Sequence, residues 1–156
     1  MRASQQSGRQ SLRSSNWEIG QLPGLSDGDR DRLVELGITT TLTLLRSTQS
    51  MAQKQALAAR LQIHSQYVQK WVALADLARV PAVGCQYCGL VLHAGVASPA
   101  QLAQTPLPRL HQQLLKLQVA TMQRQDLCPT LDEVARWIQQ ARSLVALEPV
   151  SLAQQG

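Results

Sequence analysis

Cys85-Gln86-Tyr87-Cys88, followed by His93 and Cys128, has the residue types and spacing of a thiol centre. A Cys-x-x-Cys pair serves as a redox couple or as half of a structural zinc site. A thioredoxin-like couple needs a strand before its helix, and none is legible. A zinc site needs four ligands, which His93 and Cys128 would have to complete from a distance. The expectation is therefore plain thiols, no metal and no cofactor. The alternative is a redox-responsive pair at Cys85 and Cys88, because a thiol near a helix N-terminus can have a lowered pKa. His64, His93 and His111 stand without the serine elbow or acid spacing of a catalytic triad. Asp27, Asp29, Asp31, Asp132 and Glu133 fall at helix starts, where capping and the helix field account for them. With no phosphate loop, dinucleotide fingerprint or zincin motif, the chain is not expected to be an enzyme.

The elements that must position these residues follow from composition. The chain has 156 residues, of which 44% are hydrophobic, enough for one domain with its own core. Aromatics make up 3% and Phe is absent, so the core must be built from Leu, Val, Ala and Ile, which favours helices over a sandwich or barrel. No run is long and apolar enough for a membrane span, and the N-terminus lacks the apolar stretch of a secretory signal. Three cysteines, an odd number, argue against a disulfide framework, and a cytoplasmic location is expected.

The net charge of +5 is unevenly spread. Residues 1–16 carry Arg2, Arg9 and Arg13 and no acid. Residues 17–45 carry five acids against Arg30 and Arg32, whereas residues 46–125 carry eight basic residues against Asp76 alone. The last 31 residues return to a net −2. A basic middle of this kind suits an acidic partner.

The chain also matches itself. Leu22-Pro23-Gly24-Leu25-Ser26 aligns with Val80-Pro81-Ala82-Val83-Gly84, and Leu36-Gly37-Ile38-Thr39-Thr40 with Ala94-Gly95-Val96-Ala97-Ser98, both at a spacing of 58. A later echo pairs Trp71 with Trp137 at a spacing of 66. Each half reads as turn, helix, glycine stop, helix. Gly37 and Gly95 suit the left-handed position that closes a helix. Ser50-Met51-Ala52-Gln53, Ser98-Pro99-Ala100-Gln101 and Thr130-Leu131-Asp132-Glu133 carry N-terminal capping patterns. Helices are expected near residues 26–36, 40–46, 51–62, 66–79, 85–94, 99–104, 107–119 and 131–146. The domain reading is a disordered basic tail over 1–16, a helical domain over 17–148 made of two repeats (17–79 and 80–148), and a flexible tail over 149–156.

An apolar-Pro-Gly-apolar turn, a helix and then Gly-Ile-Thr-Thr opening a second helix resembles the helix-hairpin-helix motif. Two such units, each followed by a longer helix with a Trp, resemble a bacterial family, domain of unknown function 4332, over roughly residues 19–145. The resemblance implies an all-α fold of tandem helix-hairpin-helix-like repeats in one compact domain. It implies an interaction role and carries no chemistry.

In helix-hairpin-helix proteins that bind nucleic acid, the hairpin resembles a small-residue nest whose backbone N–H groups face a phosphate. The first hairpin keeps Gly24 but has Ser26 in the last small position, and Asp27, Asp29 and Asp31 follow it at once. It reads as structural, and before it only Trp17 and Ile19 could pack. The second has Ala82 but keeps Gly84, with Arg79 before it and Lys70 on the preceding helix. Lys70, Arg79, Val83, Gly84, Arg109 and Lys116 are therefore the candidates for phosphate or partner binding. Pro23, Gly24, Gly37, Pro81, Gly84 and Gly95 are the structural hairpin residues. The expected function is a non-enzymatic interaction or scaffold module whose partner is another protein. The alternative is weak, sequence-independent binding of a DNA or RNA backbone through the second hairpin.

Overall fold

In the computed structural model the described residues are 13–121 and 128–147, with the side chains of residues 119–121 left out. The expected tail residues 1–12, the C-terminal segment from residue 148, and Arg124 lie outside them. Eight α-helices follow one another: α1 (Asp27–Glu35), α2 (Thr41–Ser47), α3 (Met51–Leu61), α4 (Ser65–Ala78), α5 (Gly84–His93), α6 (Pro99–Gln104), α7 (Leu107–Thr121) and α8 (Leu131–Leu147). A 3-10 turn over Ile19–Gln21 precedes them, and no strand occurs among the described residues. The fold is all-α, and the helix boundaries agree with the capping and glycine signals to within about two residues.

Side chains fix the starts of these helices by satisfying orphan backbone donors. Ser26 accepts from Asp29 N at the head of α1, and Thr40 from Thr43 N at the head of α2. At α3 the Ser50 hydroxyl accepts from Gln53 N while the Gln53 amide accepts from Ser50 N, a reciprocal capping box. Ser98 accepts from Gln101 N at α6. Gly37 at φ +86 and Gly95 at φ +99 end α1 and α5 in the left-handed region.

Two Trp residues on the longest apolar stripes anchor the core. Trp71 of α4 is buried beside Val68, Leu74, Ala75 and Ala78; Trp137 of α8 is buried beside Val134, Ile138 and Ala141. In the first half α2 and α3 pack on α4, in the second α6 and α7 pack on α8, and α4 lies against α5. The Tyr87 ring of α5 lies 5.0 Å from that of Trp137 at a tilt of 42°, a favourable aromatic geometry.

The segment before α1 is more structured than its polar composition suggests. Trp17 N donates to Thr41 Oγ1, Thr41 N donates to Trp17 O, and Ile19 N donates to Thr39 O. Asn16 Oδ1 accepts from Leu42 N, and Ser15 N donates to Arg79 O. Residues 14–16, the end of the expected tail, are thus hydrogen-bonded to the head of α2 and the end of α4.

Candidate functional site

The second hairpin, expected to open toward a phosphate, is occupied by the chain itself. Gly84 adopts φ +54 and is buried, and a Cβ placed on it would lie 2.9 Å from Trp17 Cζ2. Trp17 Nε1 donates to Ala78 O at 2.8 Å, which fixes the indole over the glycine. Ala82 N donates to Gln140 Oε1 of α8 at 2.7 Å, and Val83 is buried. Arg79 donates from Nε to Asp76 Oδ1 at 2.7 Å and from Nη1 to Ser14 Oγ at 3.2 Å. Among the residues expected to bind a phosphate, Gly84 thus faces an indole, Val83 is buried and Arg79 is ion-paired. The missing signal was long-range, since Trp17 and Gly84 are far apart in sequence. Lys70 is exposed on α4, nine residues before Arg79.

The first hairpin is built differently. Gly24 at φ +79 has open space where a side chain would point, and the Pro23 ring lies 3.7 Å from the Cβ position of Gly89 on α5. Pro81 is half-buried in the second turn.

Cys85 and Cys88 lie one turn apart on α5, the first half-buried and the second buried, both free thiols. Burial pushes Cys85 up to about 11; burial, with the neighbouring Cys85, pushes Cys88 up to about 12. Burial thus raises both thiols, the opposite direction to the lowered pKa that would favour the redox alternative. Cys128 is likewise raised, by burial and then by the charge of Glu133. Among the described residues no cluster of His, Cys, Asp and Glu could hold a metal ion. His93 Nδ1 donates to Gly89 O at 2.7 Å, and His64 Nδ1 caps α4 by accepting from Gln66 N.

Arg109 and Lys116, by contrast, share one feature. With Gln113 they occupy positions i, i+4 and i+7 of α7, one face spanning about 10 Å at 1.5 Å per residue. Arg109 and Gln113 line a cleft of about 310 Å³ whose other wall is Ala94, Gly95 and Val96, with Gln101 and Thr105 at its end. Gln113 and Lys116 continue into an adjoining cleft with His93, Ala94 and Leu117. The loop wall is held firmly: Gln101 Nε2 donates to Gly95 O at 2.9 Å while its Oε1 accepts from Ala97 N. The two clefts share Ala94 and Gln113 and adjoin as a cationic groove between the end of α5 and α7.

A cleft of about 220 Å³ occupies the corresponding place in the first half, lined by Leu36, Ile38, Ser47, Gln53, Leu57 and Arg60. Counted from the starts of α3 and α7, Gln53, Leu57 and Arg60 correspond to Arg109, Gln113 and Lys116. The second groove has exchanged a neutral amide for a guanidinium and a buried leucine for a glutamine. Sequence reasoning named Arg109 and Lys116 but tied them to the hairpin; their i, i+7 spacing was the signal that they share a helix face.

The family model for the domain of unknown function DUF4332 matches residues 23–144, from the first hairpin into the last helix. The chain belongs to this family. No curated protein and no solved structure matches it. The DUF4332 match contains the cationic groove and both hairpins, while Trp17 lies before it.

Proposed function

We propose that this DUF4332 domain is a non-enzymatic interaction module of helix-hairpin-helix type, built from two tandem repeats, and that it docks an acidic partner protein in the groove of Arg109, Gln113, Lys116 and His93. The observation that carries this reading is the contrast between the two candidate surfaces: the second hairpin is filled by Trp17 and Gln140, whereas the groove keeps two exposed cations on one helix face. Corresponding helix order, paired glycine stops and corresponding clefts support the tandem reading. In that reading the hairpins serve as packing devices.

The test is a fluorescence-anisotropy titration with a labelled oligo-glutamate peptide, and in parallel with a labelled DNA duplex and single strand, at low and high salt. Peptide binding should weaken with salt and fall at least tenfold in Arg109→Glu/Lys116→Glu, while Lys70→Glu leaves it unchanged. Preferential duplex binding lost in the same variant would replace the acidic protein by a phosphate backbone. No binding of either probe at low salt would overturn the proposal.

A further inference from the structure

The first half presents a helix face whose chemistry complements the groove. On α1, Asp27, Asp31 and Val34 fall at i, i+4 and i+7, the spacing of Arg109, Gln113 and Lys116 on α7, and Glu35 extends the acidic edge by one residue. The Asp27 and Asp31 side chains are 93% and 66% exposed, Glu35 is exposed, and Val34 is 45% exposed among them. Arg30 approaches Asp27 at 3.6 Å and Asp31 at 3.3 Å from one side, leaving both carboxylates open to a second cation. Arg32, the other cation of α1, is turned away and donates to Leu61 O.

Resting on the reading of the groove as a docking site, we infer that its occupant is α1 of a second copy of this chain. Set antiparallel to α7, the acidic face brings Asp27 to Lys116, Asp31 to Gln113 and Glu35 to Arg109, with Val34, between Asp31 and Glu35, directed to Ala94 on the wall across from Arg109 and Gln113. Antiparallel helices also oppose their dipoles favourably. Exposed ion pairs are individually weak, so the association is salt-sensitive and concentration-dependent. The uneven charge of the chain, acidic over residues 17–45 and basic over residues 46–125, is the sequence imprint of this complementarity.

Sedimentation equilibrium of the full chain tests the inference. The mean mass should rise above the monomer value of 17.1 kDa with concentration at low salt and return to it at high salt. Arg109→Glu/Lys116→Glu and Asp31→Lys/Glu35→Lys should each remain monomeric alone, since each brings like charges together. A one-to-one mixture of the two variants should associate again, because each reversed face meets its complement, and this rescue also shows that both variants are folded. A wild-type chain that stays monomeric at low salt, variants that associate like the wild type, or a mixture that stays monomeric would each overturn the second-copy assignment. Oligo-glutamate binding that survives such a result would leave the docking groove standing, whereas its loss would remove both.

Discussion

A thiol on the first turns of a helix gains from the helix field as a thiolate, and taking the same thiol out of water favours the neutral form. At Cys85 the second effect is larger, so the pKa rises from the ordinary 9.0 to about 11. At pH 8 this lowers the thiolate fraction about 100-fold, and alkylation follows the thiolate. Iodoacetamide should therefore modify Cys85 about 100-fold more slowly in the native chain than in the urea-unfolded chain, with the native rate rising about tenfold per pH unit from 8 to 10. Equal rates in the two states would contradict the burial argument. Because the folded pKa is raised, the stability this thiol contributes is fully present below pH 9 and is lost as pH rises toward 11. The spacing of Cys85 and Cys88 was legible in the sequence, but their protonation was not, because it depends on the neighbours that α4 and α8 bring to α5.

Between the N-terminal strap and the start of α5, packing decides how a turn can be used. Ala at Gly24 meets only the left-handed backbone, a cost of about 1 kcal/mol, because the space around it is open. Ala at Gly84 meets the same backbone restriction and, in addition, the Trp17 ring at 2.9 Å, which brings the expected loss to about 2–4 kcal/mol. Removing the ring with Trp17→Ala should reduce the penalty of Gly84→Ala to about 1 kcal/mol, a coupling that a double-mutant cycle in urea reads directly. Additive losses would mean that strap and hairpin are energetically independent. Helix positions, caps and glycine stops were readable because they rest on contacts within four residues, as at Ser50 and Gln53 or at Gly37. The strap was not readable, because its partners on α2 and α4 are distant in sequence and its own residues are polar.

For the whole molecule, α4 is the member that reaches both halves, packing on α2 and α3 through its Trp71 stripe and on α5 beyond the second hairpin. Trp71→Ala should cost about 3–5 kcal/mol, a large part of the stability of a domain this size. Helicity and the fluorescence of Trp17 and Trp137 should still be lost in one transition, which overlaid urea curves will show; separated curves would mean that parts of the domain unfold independently. The sequence by itself determined the helical class, the order and ends of the helices, the two buried Trp residues and the uneven charge. All of these rest on local backbone propensity, capping and apolar periodicity. Only the tertiary structure decided that Trp17 fills the second hairpin, that burial keeps Cys85 and Cys88 protonated, and that Arg109 and Lys116 look into one groove across from the end of α5. Those outcomes depend on which distant surfaces are brought within a few ångströms, and residue spacing along the chain carries no record of that distance.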